Sequence, residues 1–289
     1  MRFVSFVLLL WLFSGSVMAQ EPATLSNEDM RALLETVMRN QRRLDGQLSE
    51  YTSNGKQVTR YYDDKGKLKE ETIILSESYQ SFRRNVEVVL SKNGKPYSEG
   101  KIKKEREEAV KKLSEDEKER AQMAKTPANT EGPELGIVYG QNKIRAIRLA
   151  TFDLYRAGEF FNPRNEQWHD RKMIVLDFRP RVGFEPKDQR LTPLKHLAGT
   201  VWIDAEQKVT AKLLAYLVSD QQRQKTAYHL ESVRLPDGTW LVERSGFNAA
   251  LNPQAFNGLN LEWFFERTNY QRFTAQAGDV KLDSPPQKP

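Results

Sequence analysis

From Leu197 to Asp204 the chain reads Leu-Ala-Gly-Thr-Val-Trp-Ile-Asp, and after Ala205-Glu-Gln a second apolar stretch runs from Lys208 to Val218. Val201, Trp202 and Ile203 favour a pleated, half-buried surface, and Asp204 to Gln207 supplies turn chemistry, so the pair predicts a β-hairpin. In the second strand Val209, Ala211, Leu213, Ala215 and Leu217 alternate onto one face, while Leu214, Tyr216 and Val218 fall on the other. Apolar residues on both faces predict cover on both, hence a curved sheet that wraps a helix or encloses a cavity.

Elsewhere the period shifts between helix and strand. Met30, Leu33, Leu34, Val37, Met38 and Leu44 recur at helical spacing behind Ser26 and Asn27, with Gly46 placed for a C-cap. Turn signals at Ser53-Asn-Gly-Lys56, Asp63-Asp-Lys-Gly66 and Lys92-Asn-Gly-Lys95 then flank Gln57–Tyr62, Leu68–Ser76 and Arg83–Leu90, predicting a four-stranded meander. Gly100 to Lys125 is dense in charge with i,i+4 Glu–Lys pairs; it predicts a solvated helical excursion, with Ser114 and Glu117 as a capping box for a second helix. Thr126 to Pro133 reads as a linker, and Lys143 to Leu154 returns to helical spacing. Strands are expected at Met173–Phe178 and, after the proline-rich loop 180–193, at the hairpin above. A further hairpin over Thr226–Leu235 and Thr239–Phe247 turns on Pro236-Asp-Gly238, and a last aromatic strand covers Leu261–Phe273.

The Gly-Thr-Val-Trp-Ile-Asp string with its following strand resembles the strand motif of exported proteins related to the lipoprotein carrier LolA and the outer-membrane lipoprotein-sorting proteins. That resemblance implies an α+β fold: a curved antiparallel half-open β-barrel wrapped around or capped by helices, with a hydrophobic cavity for acyl chains. The charged insertion after Gly100 departs from the simple carrier, as does the want of an early aromatic Trp-Tyr-Asp turn.

Composition narrows the function further. Arg2 precedes an apolar run from Phe3 to Phe13, and Ser14-Gly-Ser-Val-Met-Ala19 ends in small residues, the pattern of a secretory leader cleaved after Ala19 into the periplasm. The run is too short for the ~20 residues of a membrane span. Residues 20–275 are then expected to form one domain carrying the charged helical insertion 100–127, and 276–289 a proline-rich tail that does not pack. The absence of cysteine excludes disulfides, thiol chemistry and lipidation at a lipobox. A net charge of +6 suits an anionic surface without pointing to nucleic acid in an exported chain.

Chemistry of other kinds finds little purchase. His169, His196 and His229 lack metal-ligand spacing, and neither a Gly-x-Ser-x-Gly elbow nor a phosphate-cradling glycine loop occurs. Asp177 and Arg179 could serve acid–base work, but neighbours of that kind are more often cross-strand ion pairs. No cofactor, metal or catalytic residue is expected. Trp202, Leu214, Tyr216, Val218, Trp240, Trp263 and Phe265 are the candidate lining of a hydrophobic cavity. The expected function is a monomeric, non-enzymatic carrier for a lipid or the acyl chain of a lipoprotein. The alternative is an envelope sensor, scaffold or chaperone that binds a protein partner, with the charged helix and the 180–193 loop as contact elements.

Overall fold

The computed structural model describes residues 25–47, 50–80, 85–123, 151–186, 188–220, 222 and 224–272. Eleven strands lie in one antiparallel sheet: β1 (Tyr51–Tyr62), β2 (Leu68–Gln80), β3 (Asn85–Lys92), β4 (Lys95–Pro96), β5 (Gly158–Trp168), β6 (Arg171–Pro180), β7 (Leu197–Asp204), β8 (Thr210–Leu217), β9 (Thr226–Arg234), β10 (Trp240–Asn248) and β11 (Leu261–Arg272). Their order is β4-β3-β2-β1-β11-β10-β9-β8-β7-β6-β5. Two meanders are thus joined by the pairing of β1 with β11, and the sheet stays open between β4 and β5. This is the expected α+β half-open barrel.

Helices occupy both faces. α1 (Asn27–Gln47) begins with a reciprocal cap, Ser26 Oγ accepting from Asp29 N at 3.1 Å and donating to its carboxylate at 2.7 Å. It packs Leu33 and Val37, with Met30, Leu34 and Met38 beside them, against the inner face. α3 (Thr151–Ala157) adds Leu154 and Tyr155 to the same core. α2 (Glu99–Met123) lies on the opposite face of β2 and β3, where Ala109 and Leu113 meet Tyr79, Val86 and Val88. Arg106 fixes it there, donating to the buried Glu77 carboxylate at 2.6 and 3.2 Å, with the Tyr79 hydroxyl donating to the same group at 3.1 Å.

Several local expectations give way to tertiary context. Ser53-Asn-Gly-Lys56 is not a turn: β1 runs straight through it, paired residue by residue with β2 from Thr52 to Tyr61. The charged segment is not a free excursion, and α2 continues unbroken past Ser114, because its small stripe of apolar residues has a sheet face to bury. β5 went unpredicted; Pro163 and the left-handed Asn162 (φ 54°) interrupt its pattern, and both are tolerated at a bulge in an edge strand. Residues 1–24, the linker 126–133, most of the helix expected at 143–154 and the tail lie outside the described residues.

Candidate functional site

Register places the inner face in rows across the sheet. One row reads Leu176, Val201, Leu213, Leu230, Ser245, Phe265, Gln57, Ile74 from β6 to β2. The next reads Phe178, Gly199, Ala215, Tyr228, Phe247, Trp263, Thr59, Thr72. The chemistry changes along both. From β6 to β11 the inner face is aliphatic and aromatic except for the buried Ser245, roofed by α1 and α3, with Trp263 stacked between Phe247 (5.7 Å) and Phe265 (5.9 Å). On β1 and β2 the two rows continue in Gln57, Thr59 and Thr72, with Ile74 apolar beside them.

Gly199 belongs to this face for a steric reason. A β-carbon there would stand 2.0 Å from the Leu214 carbonyl oxygen and 2.8 Å from Ala215 Cα, so β7 and β8 approach as closely as they do only around glycine.

At the β1–β2 end, Ser53 pairs with Ser78 and Gly55 with Ser76 on one side and Arg267 on the other. Ser53, Ser76 and Ser78 are 4%, 2% and 0% exposed. The Ser76 and Ser78 hydroxyls converge on Gly55, 2.8 and 3.1 Å from where its β-carbon would be, and Phe265 Cζ is 3.1 Å away. Ser53 Oγ and Ser78 Oγ are buried without a hydrogen-bond partner. The Arg267 guanidinium stacks on Phe265, 4.5 Å from the ring centre.

The outer face is a charged ladder: Lys212, Glu231, Arg244, Glu266 and Lys56 succeed one another across five strands with alternating sign. Arg60 bridges Glu71 and Glu262 at 2.7 and 3.0 Å, and Arg164 bridges Glu166 and Asp177 at 3.0 and 3.1 Å. Burial raises the Asp177 pKa, but hydrogen bonds from Asn162 and Thr200 and the Arg164 charge outweigh it and hold the carboxyl below its ordinary value. Asp177 therefore sits in an ion pair across to β5, and Arg179 pairs with Glu159 instead. His229 lies on this face against Phe264, its pKa lowered chiefly by burial. Among the described residues no group of three or more metal-ligating side chains comes together.

The seven candidate lining residues divide among three places. Trp263 and Phe265 are in the inner core. Trp240 belongs to a second cluster with Leu44, Met173, Val175, Val209 and Ala211, and Trp202 packs against that cluster while its indole N–H donates to Glu166 Oε2 at 2.8 Å. Leu214 and Tyr216 share the outer face with Trp202 and are half-buried, and Val218 is 53% exposed. Across the sheet Leu214 lies between Thr200 and His229, and Tyr216 between Ala198 and Thr226. The hydroxyl patch and Arg267 were missed.

No family model and no curated protein matches the chain. Among solved structures it is similar to a LolA superfamily protein from Nitrosomonas europaea, with 9% identity over 85% of this chain and 94% of that one, and a TM-score of 0.36. It is similar to a putative outer membrane lipoprotein-sorting protein domain from Vibrio parahaemolyticus, with 10% identity over 84% and 94% and a TM-score of 0.35. A third is the MucA/MucB complex structure of Pseudomonas aeruginosa, with 11% identity over 86% and 59% and a TM-score of 0.25.

Proposed function

We propose that this protein is an exported, non-enzymatic carrier that binds the acyl chain of a lipid or lipoprotein between the inner face of its sheet and α1. The observation that carries the reading is the apolar chemistry of that inner face. Six adjacent strands, β6 to β11, present mainly apolar side chains inward, and their cover is α1, the short α3 and the single-turn segments that carry Leu194, Ala249 and Phe256 rather than a second sheet. α1 contributes Met30 and Met38 to that contact, and flexible thioethers repack readily around a guest. Each buried methylene contributes ~0.8 kcal/mol, so a twelve-carbon chain gains roughly 10 kcal/mol, enough to offset displacement of a helix that buries only a few side chains.

The apolar run from Phe3 to Phe13 and the small residues that follow to Ala19 support export to the periplasm with cleavage after Ala19, and the charged outer face supports a monomer. The test is native mass spectrometry of the mature protein, followed by extraction and titration with laurate. Co-purified lipid, or saturable laurate binding that quenches tryptophan fluorescence, is the expected result. A ligand-free protein that ignores laurate yet captures one envelope protein would favour the second reading, a protein-binding role, for which α2, held on the outer face of β2 and β3, is the displayed element.

A further inference from the structure

We propose that Met30 and Met38 on α1 are a modification site for peroxide: oxidation of their thioethers to sulfoxides lifts the N-terminal part of the helix from the inner face of the sheet. The foundation is where the sulfur sits. The sequence has no cysteine, so thioethers are its only side-chain sulfur, and after Ala19 they belong to Met30, Met38, Met123 and Met173. Met173, on β6, is 0% exposed and closed to solvent. Met30 and Met38 are instead partly exposed, and they stand with Leu34 beside the buried Leu33 and Val37 where α1 meets the core. Leu34 in the same stripe shows that packing there does not call for a thioether.

The step balances with hydrogen peroxide alone. A sulfur lone pair attacks one peroxide oxygen and the O–O bond breaks; the sulfur loses two electrons as the S–O bond forms, and the other oxygen leaves as water with both protons. The product differs from the parent where docking is concerned. A sulfoxide oxygen is a polar acceptor, and the cluster on which these two side chains pack is aliphatic and aromatic, so returning it to that surface buries an acceptor without a donor. Release is local because α1 is held differently at its two ends. Asn40 Nδ2 donates to the Gln207 carbonyl at 2.8 Å, and Leu44 packs in the second cluster with Val209 and Trp240. At the other end the Ser26–Asp29 cap ties the helix only to itself. Residues 27–38 therefore depend on the stripe that carries the two sulfurs, whereas 40–47 have anchors of their own. What the release uncovers is the apolar inner face, whichever guest that face receives.

The test treats the folded mature chain with hydrogen peroxide, follows each methionine by peptide mass spectrometry and follows the backbone by hydrogen exchange. Met30 and Met38 are expected to gain oxygen about 10-fold faster than Met173, and exchange over residues 27–38 to rise by about the same factor while residues 40–47 and β6 hold. Met30→Leu/Met38→Leu keeps the volume and removes the sulfur, so its exchange should match the parent before treatment and stay unchanged after it. Met30→Gln/Met38→Gln, which places a polar acceptor at both positions, should show the raised exchange without peroxide. Enzymatic reduction of the two sulfoxides should restore the parent pattern. Oxidation of Met173 as fast as the other two overturns the proposal, as does unchanged exchange once both are sulfoxides. An equal rise along the whole chain, a leucine variant that still loosens under peroxide, or a loosening that reduction does not reverse overturns it as well.

Discussion

Replacing Gly199 by alanine tests the account of why β7 and β8 approach so closely. The new methyl would sit 2.0 Å from the Leu214 carbonyl oxygen and inside contact distance of Ala215 Cα, both backbone atoms of β8. Rotamer changes cannot relieve that clash, so the two strands must separate by more than an ångström at their Gly199–Ala215 pairing. Overpacking costs about 1–3 kcal/mol, and two ladder hydrogen bonds weakened at ~1 kcal/mol each bring the sum to roughly 3–5 kcal/mol. For a domain of this size that corresponds to a fall in melting temperature of about 6–20 °C. Urea unfolding followed by circular dichroism should show a lower midpoint with an unchanged slope. Gly55→Ala serves as the comparison, because its nearest obstacles are the side-chain atoms of Ser76, Ser78 and Phe265, and it should cost less. A Gly199→Ala protein within about 1 kcal/mol of the parent, or less perturbed than Gly55→Ala, would refute the argument.

Truncating Trp263 to alanine removes a side chain 1% exposed and stacked on two phenylalanines; denaturant titration should show a loss of about 3–5 kcal/mol. Arg106→Met leaves the Glu77 carboxylate buried against sheet and helix with only the Tyr79 hydroxyl as donor. The cost should be about 2–4 kcal/mol, the lower part of the range for a broken buried pair because Arg106 is partly solvated, and hydrogen exchange should rise first over residues 99–123. Acid should weaken the fold in two stages. The imidazole of His229 has its folded pKa lowered, so its contribution is present above the unfolded value of 6.5 and is lost as pH falls below it. Burial opposes ionisation of Asp204, but the Arg171 guanidinium and the backbone N–H groups of Gln207 and Glu206 outweigh it and lower its pKa; Asp177 is lowered likewise. Their contribution is present above 3.8 and lost below it. A stability profile against pH with His229→Gln should lose only the first stage, and an unchanged profile would count against the burial assigned to that ring.

Much of the architecture is written in local pattern. β7 is found at Leu197–Asp204 as expected, and the Pro236-Asp-Gly238 turn joins β9 to β10. These segments satisfy turn chemistry and alternation together, so nothing tertiary competes with them. Where Ser53-Asn-Gly-Lys56 was expected to turn, local chemistry was outvoted by two neighbours, since β2 pairs along the whole stretch and β11 from Asn54 onward, after an irregularity at Ser53, and a reversal there would orphan the backbone groups of each. α2 shows the same competition with charge: Ala109 and Leu113, one turn apart, together with Ile102 and the Arg106–Glu77 pair dock a helix that otherwise reads as fully solvated.

The candidate site was legible only in half, and the reason is the period of the strand. An alternating run states that two faces exist without stating which one turns inward, and a slip of one residue exchanges them. Trp202 and Tyr216 look as much like trough lining as Trp263 and Phe265 do until the register is known, yet they stand on the side that carries the charge ladder. The polar half was hidden differently. Ser53, Gly55 and Gln57, with Ser76 and Ser78 opposite, alternate as regularly as any apolar strand, but small polar residues at period two are read by habit as a solvated edge or a turn. The pairing of β1 with β11 joins the first and last described strands and brings Gly55 opposite Arg267. A contact between segments more than two hundred residues apart has no local signature, so the part of the inner face with polar character is the part that sequence pattern reaches last.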